Sequence, residues 1–215
     1  MKFAIEGRKI LVGSFVLAII FLIINIEYQQ PVWLWLGVGF LFFFLFSLNF
    51  FRDPSRPMPE GDENIVSPAD GKIVAIKSII DSKSGEEKQL ISIFLNVFNV
   101  HTNRMPVDGS FVSVKYKKGK FLAAFDHAAS DENEQTIIEI ATPRGNVGLK
   151  QIAGLVARRI HCYAKEGEHM SKGDRLGFIM FGSRTDLILP TNVSIQVKMG
   201  QKVTGNKTII GEWNG

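Results

Sequence analysis

A glycine followed by a serine lies near the C-terminal end of the sequence, at Gly182-Ser183, and this pair could cut its own chain. Glycine leaves its carbonyl unshielded by a side chain and tolerates backbone conformations that other residues resist. The Ser183 hydroxyl could therefore attack the Gly182 carbonyl and shift the acyl group from nitrogen to oxygen. Elimination and hydrolysis would leave a ketone, a pyruvoyl group, at position 183. A lone Gly-Ser pair is more often an ordinary turn, so this hypothesis depends on other residues.

Four histidines could act as the base for such an attack, and His101 is the strongest candidate. It follows a long apolar run and precedes a polar segment, as in the loops at strand ends where site residues collect. Arg104 in this segment could bind a phosphate or a carboxylate. The weaker candidates are His127, His161 and His169.

Asp70 lies in the segment 67–71, which reads Ser-Pro-Ala-Asp-Gly and is typical of a turn. A carboxylate beside a histidine could orient the ring and stabilise its charge while it takes the serine proton. The catalytic hypothesis therefore requires the fold to bring Asp70, a histidine and Ser183 together.

A basic run follows the histidine segment and is interleaved with aromatic residues. It could form a solvated strand face, or it could attract anionic lipid at about 1 kcal/mol for each basic residue near a membrane surface. Its members are Lys115, Lys117, Lys118 and Lys120, to which Arg158 and Arg159 could add.

Two apolar runs near the N-terminus indicate a membrane anchor. Residues 10–26 and 32–51 carry no charged side chain, and the second run is long enough to span a bilayer. The first is slightly short, so it could span or only insert. Basic residues flank the pair on both sides, so the positive-inside rule predicts that both ends, and the domain that follows, are on the cytoplasmic face of the cell membrane.

The rest of the chain is typical of a β-rich domain. A proline-rich connector at 53–64 separates the anchor, 1–52, from a domain at 65–215. Short strand-like runs separated by turns follow, so we expect a mainly β fold of barrel or sandwich type behind an N-terminal helical hairpin. Hairpin or tight turns are expected at 143–146 and 171–174.

Composition narrows the functional classes. The chain has 215 residues, a formal charge of +4 and a pI of about 9.2, which is too weakly basic to indicate a nucleic-acid partner without a binding motif. Its single cysteine, Cys162, excludes an intramolecular disulfide and a thiolate zinc cluster. No metal site is expected.

Four ordered motifs resemble those of phosphatidylserine decarboxylases, in a short form. They are Ser67-Pro68-Ala69-Asp70-Gly71, Val100-His101-Thr102-Asn103-Arg104-Met105-Pro106, Gln151-Ile152-Ala153-Gly154 and Phe181-Gly182-Ser183.

The resemblance implies a self-cleaving decarboxylase. By resemblance, the chain is cut between Gly182 and Ser183 into a large chain, 1–182, and a small chain, 183–215, that begins with the pyruvoyl group. That group would form a Schiff base with phosphatidylserine, and loss of CO2 would leave phosphatidylethanolamine. Asp70 and His101 match catalytic positions of the family. The resemblance assigns no role to Arg104, which its residue type alone makes a candidate for substrate binding.

Two departures from the longer members of the family concern the site. They have Gly-Ser-Thr, where this chain has Gly-Ser-Arg, and a second histidine where this chain has Arg104. The base for self-cleavage therefore stays open, and His101 could serve cleavage, decarboxylation or both. The oligomeric state is open as well.

Three other classes compete with the enzyme. The segment 166–177 resembles the turn of lipoyl and biotinyl barrel domains, although the Met-Lys attachment pair is missing. A membrane-tethered zinc peptidase of related β-fold would need a His-x-His ligand pair, which the sequence lacks. A membrane scaffold would use Gly182-Ser183 only as a turn.

Overall fold

The computed structural model describes residues 2–81, 84–124, 129–155, 159–180 and 182–214. The chain forms two compact units, Met1–Ser55 and Arg56–Gly215. The candidate residues His127, Arg158 and Phe181 lie outside the described ranges.

The first unit is a pair of long apolar helices. A short 3-10 helix, Ile5–Gly7, leads into α1 (Arg8–Tyr28), and α2 (Pro31–Phe50) follows after a tight connection. Two short strands, β1 (Lys2–Phe3) and β2 (Arg52–Asp53), pair antiparallel. Both helices are long and apolar enough to cross a membrane.

Aromatic stacking and one close approach hold the two helices together. The ring of Phe21 stacks on Trp33 and Phe40, with centroids 5.9 and 5.6 Å apart. A Cβ added to Gly37 would lie 2.8 Å from the Leu22 side chain, so a glycine is needed for the helices to come this close. Large apolar side chains point outward and indicate an apolar surrounding such as lipid. These include Val12, Ile23, Ile26, Trp35, Phe42 and Leu45.

The second unit is mainly β. One short helix, α3 (Ala129–Glu132), precedes its central strands. The strands are β3 (Asn64–Val66), β4 (Gly71–Ile80), β5 (Glu87–Leu95), β6 (Thr102–Arg104), β7 (Gly109–Lys117), β8 (Gln135–Thr142), β9 (Gly145–Ile152), β10 (Ile160–Cys162), β11 (His169–Met170), β12 (Arg175–Ile179), β13 (Ser183–Pro190), β14 (Val193–Ile195), β15 (Lys202–Val203) and β16 (Ile209–Trp213).

One large antiparallel sheet organises this unit. Its strand order is β11-β7-β8-β9-β13-β5-β4-β15, and the sheet curls into a half-barrel. Two smaller sheets have the orders β10-β12-β6 and β14-β16-β3. Alternation along β5 sends Ile91, Ile93 and Leu95 into the core, where Leu187 and Leu189 of β13 meet them. The predicted fold class, mainly β with an N-terminal helical hairpin, is confirmed.

The structure agrees with the sequence prediction at both expected turns and differs from it in a short strand. The turn expected at 143–146 joins β8 to β9 as a hairpin, and the turn at 171–174 precedes β12. The segment after His101, expected to be a loop, forms β6 instead. Three residues are too few for a hydrophobic period, and β6 is held by its pairing with β12.

Candidate active site

The Gly-Ser pair lies where β13 begins, in the interior of the large sheet between β5 and β9. Gly182 has φ +65°, a left-handed conformation that favours glycine, although a Cβ added there would meet nothing within 4 Å. Ser183 is fully buried opposite Leu95. Its hydroxyl has no hydrogen-bond partner among the described residues. Such burial costs about 1–3 kcal/mol, so the hydroxyl is not explained by stability.

His101 is buried beside the backbone that leads into Ser183. Its Nδ1 lies 3.0 Å from the Asn99 carbonyl oxygen, and its Nε2 lies 3.3 Å from the Gly182 backbone nitrogen. A carbonyl can only accept and a backbone N–H can only donate, so the tautomer with its proton on Nδ1 satisfies both contacts. The Nε2 lone pair therefore points at the peptide unit just before the Gly182-Ser183 bond. The fold brings together His101 and the Gly-Ser pair.

A chain of buried polar side chains continues from Ser183 along the core face of β13. Thr185 shares this face because side chains two residues apart on a strand point the same way. The Asn103 amide donates to Thr185 Oγ1 at 3.1 Å, and the Gln151 amide donates to Asn103 Oδ1 at 2.8 Å. All three are fully buried. Because Asn103 follows His101 by two residues, these hydrogen bonds join the histidine segment to β13.

Asn103, Gln151 and Thr185 are not among the residues for which the sequence predicts a separate role. A polar residue at a core-facing position of a strand is the sequence feature that could have identified them. Which positions face the core is known only once the strand register is known. In the structure, Gln151 and Thr185 are direct cross-strand partners. Gln151 Oε1 and Thr102 Oγ1 are buried and have no hydrogen-bond partner within the described ranges.

The four motif segments meet at one end of the large sheet. Lys72, at the start of β4, pairs with Phe94 of β5, and Phe94 pairs on its other side with Arg184 of β13. Arg184 also pairs with Ile152 of β9. Because neighbouring strands are about 4.8 Å apart, the turn at 67–71 lies two strands, or about 10 Å, from β13.

Asp70 is bound to groups other than His101. Its carboxylate forms an ion pair with Arg56 through both oxygens, with 2.8 Å between Arg56 Nη2 and Oδ2. It also accepts the Gly205 backbone N–H at 2.8 Å. No hydrogen bond joins Asp70 to His101 or Ser183 in the part of the chain that the structure describes. The carboxylate therefore fixes its turn to two distant segments of the second unit.

The other candidates are spread over the domain. Arg104 is half-buried on β6, and its Nη1 donates to the Gly173 carbonyl at 3.5 Å. His161 lies on β10, and His169 is exposed on the edge strand β11. Neither of these histidines is hydrogen-bonded to Ser183.

The basic run lies on the exposed end of β7 and the segment after it. Two of its lysines donate hydrogen bonds to α3. The Lys117 ammonium donates to the Asp131 carbonyl and the Lys120 ammonium to the Glu132 carboxylate, both at 2.7 Å. Lys115 and Lys118 are exposed. A role for the run at a lipid surface stays a prediction.

Cys162 does not compete with Ser183 as a nucleophile at neutral pH. Burial raises the pKa of its thiol, and a backbone hydrogen bond at Ala164 lowers the pKa by less. The thiol is therefore mostly protonated near pH 7, and the thiol is a poor nucleophile compared with the thiolate.

Arg184 is fully buried on the face of β13 opposite Ser183. Its Nε lies 2.6 Å from Asp186 Oδ1, and its Nη2 lies 2.6 Å from the Ser92 hydroxyl oxygen. The Ser130 hydroxyl donates to Asp186 Oδ2 at 2.6 Å. The arginine that follows the serine thus has a neutralising partner two residues away, and together they join β13 to β5 and α3.

The Ser183 hydroxyl, which has no partner among the described residues, is buried beside the His101 imidazole and a set of hydrogen-bonded polar side chains, an arrangement more typical of an enzyme site than of a scaffold. The profile of the phosphatidylserine decarboxylase family matches residues 43–211. The chain therefore belongs to the phosphatidylserine decarboxylase family, and the resemblance inferred from the four motifs is confirmed.

Named relatives cover nearly the whole chain. A phosphatidylserine decarboxylase proenzyme of Chlorobaculum tepidum is 40% identical over 100% of both chains. One of Cupriavidus taiwanensis is 42% identical over 96% of this chain and 94% of its own length. One of Aromatoleum aromaticum is 46% identical over 86% of this chain and 83% of its own length.

Separating the buried ion pair should destabilise the fold more than replacing both partners. Arg184→Leu removes the ion-pair partner of the buried Asp186 carboxylate, so we expect a loss of about 3–5 kcal/mol in the free energy of unfolding. The double variant Arg184→Leu/Asp186→Leu should lose clearly less. Denaturant unfolding of Arg184→Leu, Asp186→Leu and the double variant, each in a Ser183→Ala background, measures the difference. If the double variant were as unstable as the sum of the two single ones, the pair would not be coupled.

Proposed function

We propose that this chain is a membrane-anchored phosphatidylserine decarboxylase that makes its own pyruvoyl group by cutting itself between Gly182 and Ser183. The observation that carries the proposal is the buried Ser183 hydroxyl, which lacks a hydrogen-bond partner among the described residues and follows a glycine in a left-handed conformation. Membership in the family supports the substrate class, and the word proenzyme in the relatives' names supports processing.

The cleavage would proceed by an acyl shift. The Ser183 oxygen attacks the Gly182 carbonyl carbon, and the bond from that carbon to the Ser183 nitrogen breaks as the nitrogen takes up the hydroxyl proton. The resulting ester eliminates the Gly182 carboxylate and leaves a carbon–carbon double bond at residue 183. Addition of water to its imine tautomer then releases ammonia and leaves the ketone.

His101 would handle protons at this end of the sheet. With its proton on Nδ1, directed at the Asn99 carbonyl, His101 presents an unprotonated Nε2 to the Gly182 N–H, and this nitrogen would accept a proton from a group near residue 183. Its place beside the Gly182 N–H allows a role in cleavage, in decarboxylation, or in both. The link from Asn103 to Thr185 would keep the imidazole aligned with residue 183 after the chain is cut.

The residues around Ser183 fit a pyruvoyl group, because that group keeps the serine's backbone position and replaces a hydroxyl without a described partner. When present, its ketone supplies an electrophile for the substrate amine, and its amide carbonyl supplies an electron sink. Arg104 would attract the phosphate or the carboxylate of the headgroup. Asp70 would support the site by holding the turn at 67–71, whose Pro68 carbonyl accepts the Arg104 backbone N–H at 2.9 Å.

The two helices would keep the enzyme where its substrate is. A two-chain phospholipid rarely leaves the bilayer, so a tethered domain meets it at the membrane surface. The basic residues that flank the helical pair favour the cytoplasmic face.

Ser183→Ala should leave a single chain, because a methyl group cannot attack Gly182. The wild-type protein should appear as two chains in a denaturing gel and in intact mass measurements. Ser92→Ala is the matched control, since it removes a buried hydroxyl from the neighbouring strand and should leave cleavage intact. A wild-type preparation that decarboxylates phosphatidylserine while remaining wholly uncut would contradict the mechanism.

Hydroxylamine should inactivate the enzyme by condensing with the ketone at position 183. Borohydride added together with phosphatidylserine should attach the substrate covalently to the small chain, whereas borohydride added to Ser183→Ala should attach nothing. Peptide mass spectrometry locates the label. An unmodified serine at 183, or activity lost with a chelator and restored by zinc, would favour a metal hydrolase instead.

Asp70→Asn should slow cleavage at least tenfold, and Arg56→Gln should slow it less. Each variant removes the same ion pair, so both should lower the unfolding temperature to a similar extent, but only Asp70→Asn removes the negative charge near the site. Cleavage time courses and thermal unfolding measure the two effects. Equal slowing in both variants would show that Asp70 acts only through Arg56.

A further inference from the structure

The carbonyl that the proposed cleavage attacks is packed against another glycine. Gly154 is buried, and it lies two residues after the end of β9, directly after Ala153. A Cβ added to Gly154 would lie 2.2 Å from the Gly182 carbonyl oxygen and 3.2 Å from its carbonyl carbon. These distances are too short for any side chain, so even alanine at 154 would displace the carbonyl or the segment that faces it.

The requirement at Gly154 is for space and not for backbone conformation. Its φ lies outside the left-handed range that disfavours side chains, whereas Gly182 has φ +65° and open space around it. The two positions therefore require glycine for different reasons. Gly182 provides an unusual backbone turn before the serine, and Gly154 provides the room into which the Gly182 carbonyl fits.

A buried asparagine fixes the backbone that surrounds this carbonyl. The Asn133 side-chain nitrogen donates to the Ala153 carbonyl at 2.8 Å and to the Leu122 carbonyl at 2.9 Å, and its Oδ1 accepts the Leu122 N–H at 2.9 Å. The Ala153 N–H in turn donates to the Glu134 carbonyl at 2.9 Å. Asn133 is fully buried. Ala153 is therefore held at both its N–H and its carbonyl, immediately before Gly154.

The neighbouring loop closes the same space. The Ala124 Cβ would lie 3.1 Å from a Cβ at Gly154, and the Asn133 bonds to Leu122 hold this loop two residues earlier. Residues 153–154 and the Ala124 side chain, braced by Asn133, therefore form a rigid seat for the Gly182 carbonyl. Within this seat, a small added group has no room to be accommodated.

We propose that Gly154 and Asn133 are positioning residues for self-cleavage: they seat the Gly182 carbonyl in the orientation that the Ser183 hydroxyl attacks. The inference rests on the proposed function, since it concerns the same bond. Attack on a carbonyl depends on geometry, and a displacement of about 1 Å can reduce a rate about 100-fold. Neither residue takes up or gives a proton or forms a bond in the reaction.

Gly154→Ala should cleave at least 100-fold more slowly than the wild-type chain, in a time course that starts at synthesis and is followed by denaturing gel and intact mass. The same clash should also lower its unfolding temperature below that of Ser183→Ala, which is the folded and uncut reference. Gly109→Ala is the matched control. There a Cβ would lie 2.6 Å from the Ala141 carbonyl oxygen, on strands β7 and β8, so it should lower stability and leave the cleavage rate near wild type.

Asn133→Ala gives a second test, in which the activity per mole of cut chain is measured beside the cleavage rate. A general structural defect would lower both. The substitution loosens the seat without adding atoms, so cleavage should be slowed about tenfold, yet the activity per mole of cut chain should match the wild type because the Gly182 carbonyl has then left the reaction. If Gly154→Ala does not fold, this variant decides the question by the same two measurements.

The outcomes separate the inference from the proposed function. Cleavage of Gly154→Ala at the wild-type rate, or an equal loss of cleavage and of activity per cut chain in Asn133→Ala, would overturn the seat and leave the proposed function standing. A wild-type chain that is active without being cut would overturn the proposed function itself.

Discussion

Strand β13 is hydrogen-bonded on both sides, to β5 and to β9, and this double pairing places Ser183 and the polar side chains that follow it. Register against β5 sets Ser183 opposite Leu95, and register against β9 sets Thr185 opposite Gln151. Because side chains alternate along a strand, a slip of one residue would turn Ser183 away from the core and bring Arg184 into it. The buried partners on the two faces, Asn103 of β6 for Thr185 and Ser92 of β5 for Arg184, therefore favour a single register.

The site also depends on polar groups that are buried at a cost. The Ser183 hydroxyl and Gln151 Oε1 have no partner within the described ranges, whereas the neighbouring amides and the arginine are paired. In an interior of low dielectric constant, paired groups stiffen the structure and unpaired groups remain available for chemistry. The large apolar core on the same face, which includes Ile93 and Leu187, provides the stability that such an arrangement requires.

Much of the fold could be predicted from the sequence, because its long strands have clear patterns. The turn expected at 143–146 joins β8 to β9 as a hairpin, and the helical hairpin follows from two uninterrupted apolar runs. Short strands such as β6 and β16 carry too few residues for a period, and their pairing partners are far away in sequence.

The candidate site was only partly predictable for a similar physical reason. The Gly-Ser pair and His101 have residue types that suggest chemistry, and the fold places them together. Gly154 was visible only as part of a motif, because its proposed role depends on a carbonyl 28 residues later in the chain, and this contact is known only when β9 and β13 are paired. The Arg56 partner of Asp70 could not be inferred from spacing, because the ion pair joins a proline-rich connector to a turn.

The strands that follow the proposed cut are distributed over the whole domain. β13 lies inside the large sheet, β15 pairs with β4 at its edge, and β16 pairs with β3 in a separate sheet. On the proposed function, the small chain could not be exchanged without dismantling all of these pairings. Each molecule would then generate its reactive ketone once, from its own serine. It would need no vitamin-derived cofactor, and a damaged ketone could not be replaced. Its working lifetime would end with that of the ketone, and the cell could restore activity only by synthesising new protein.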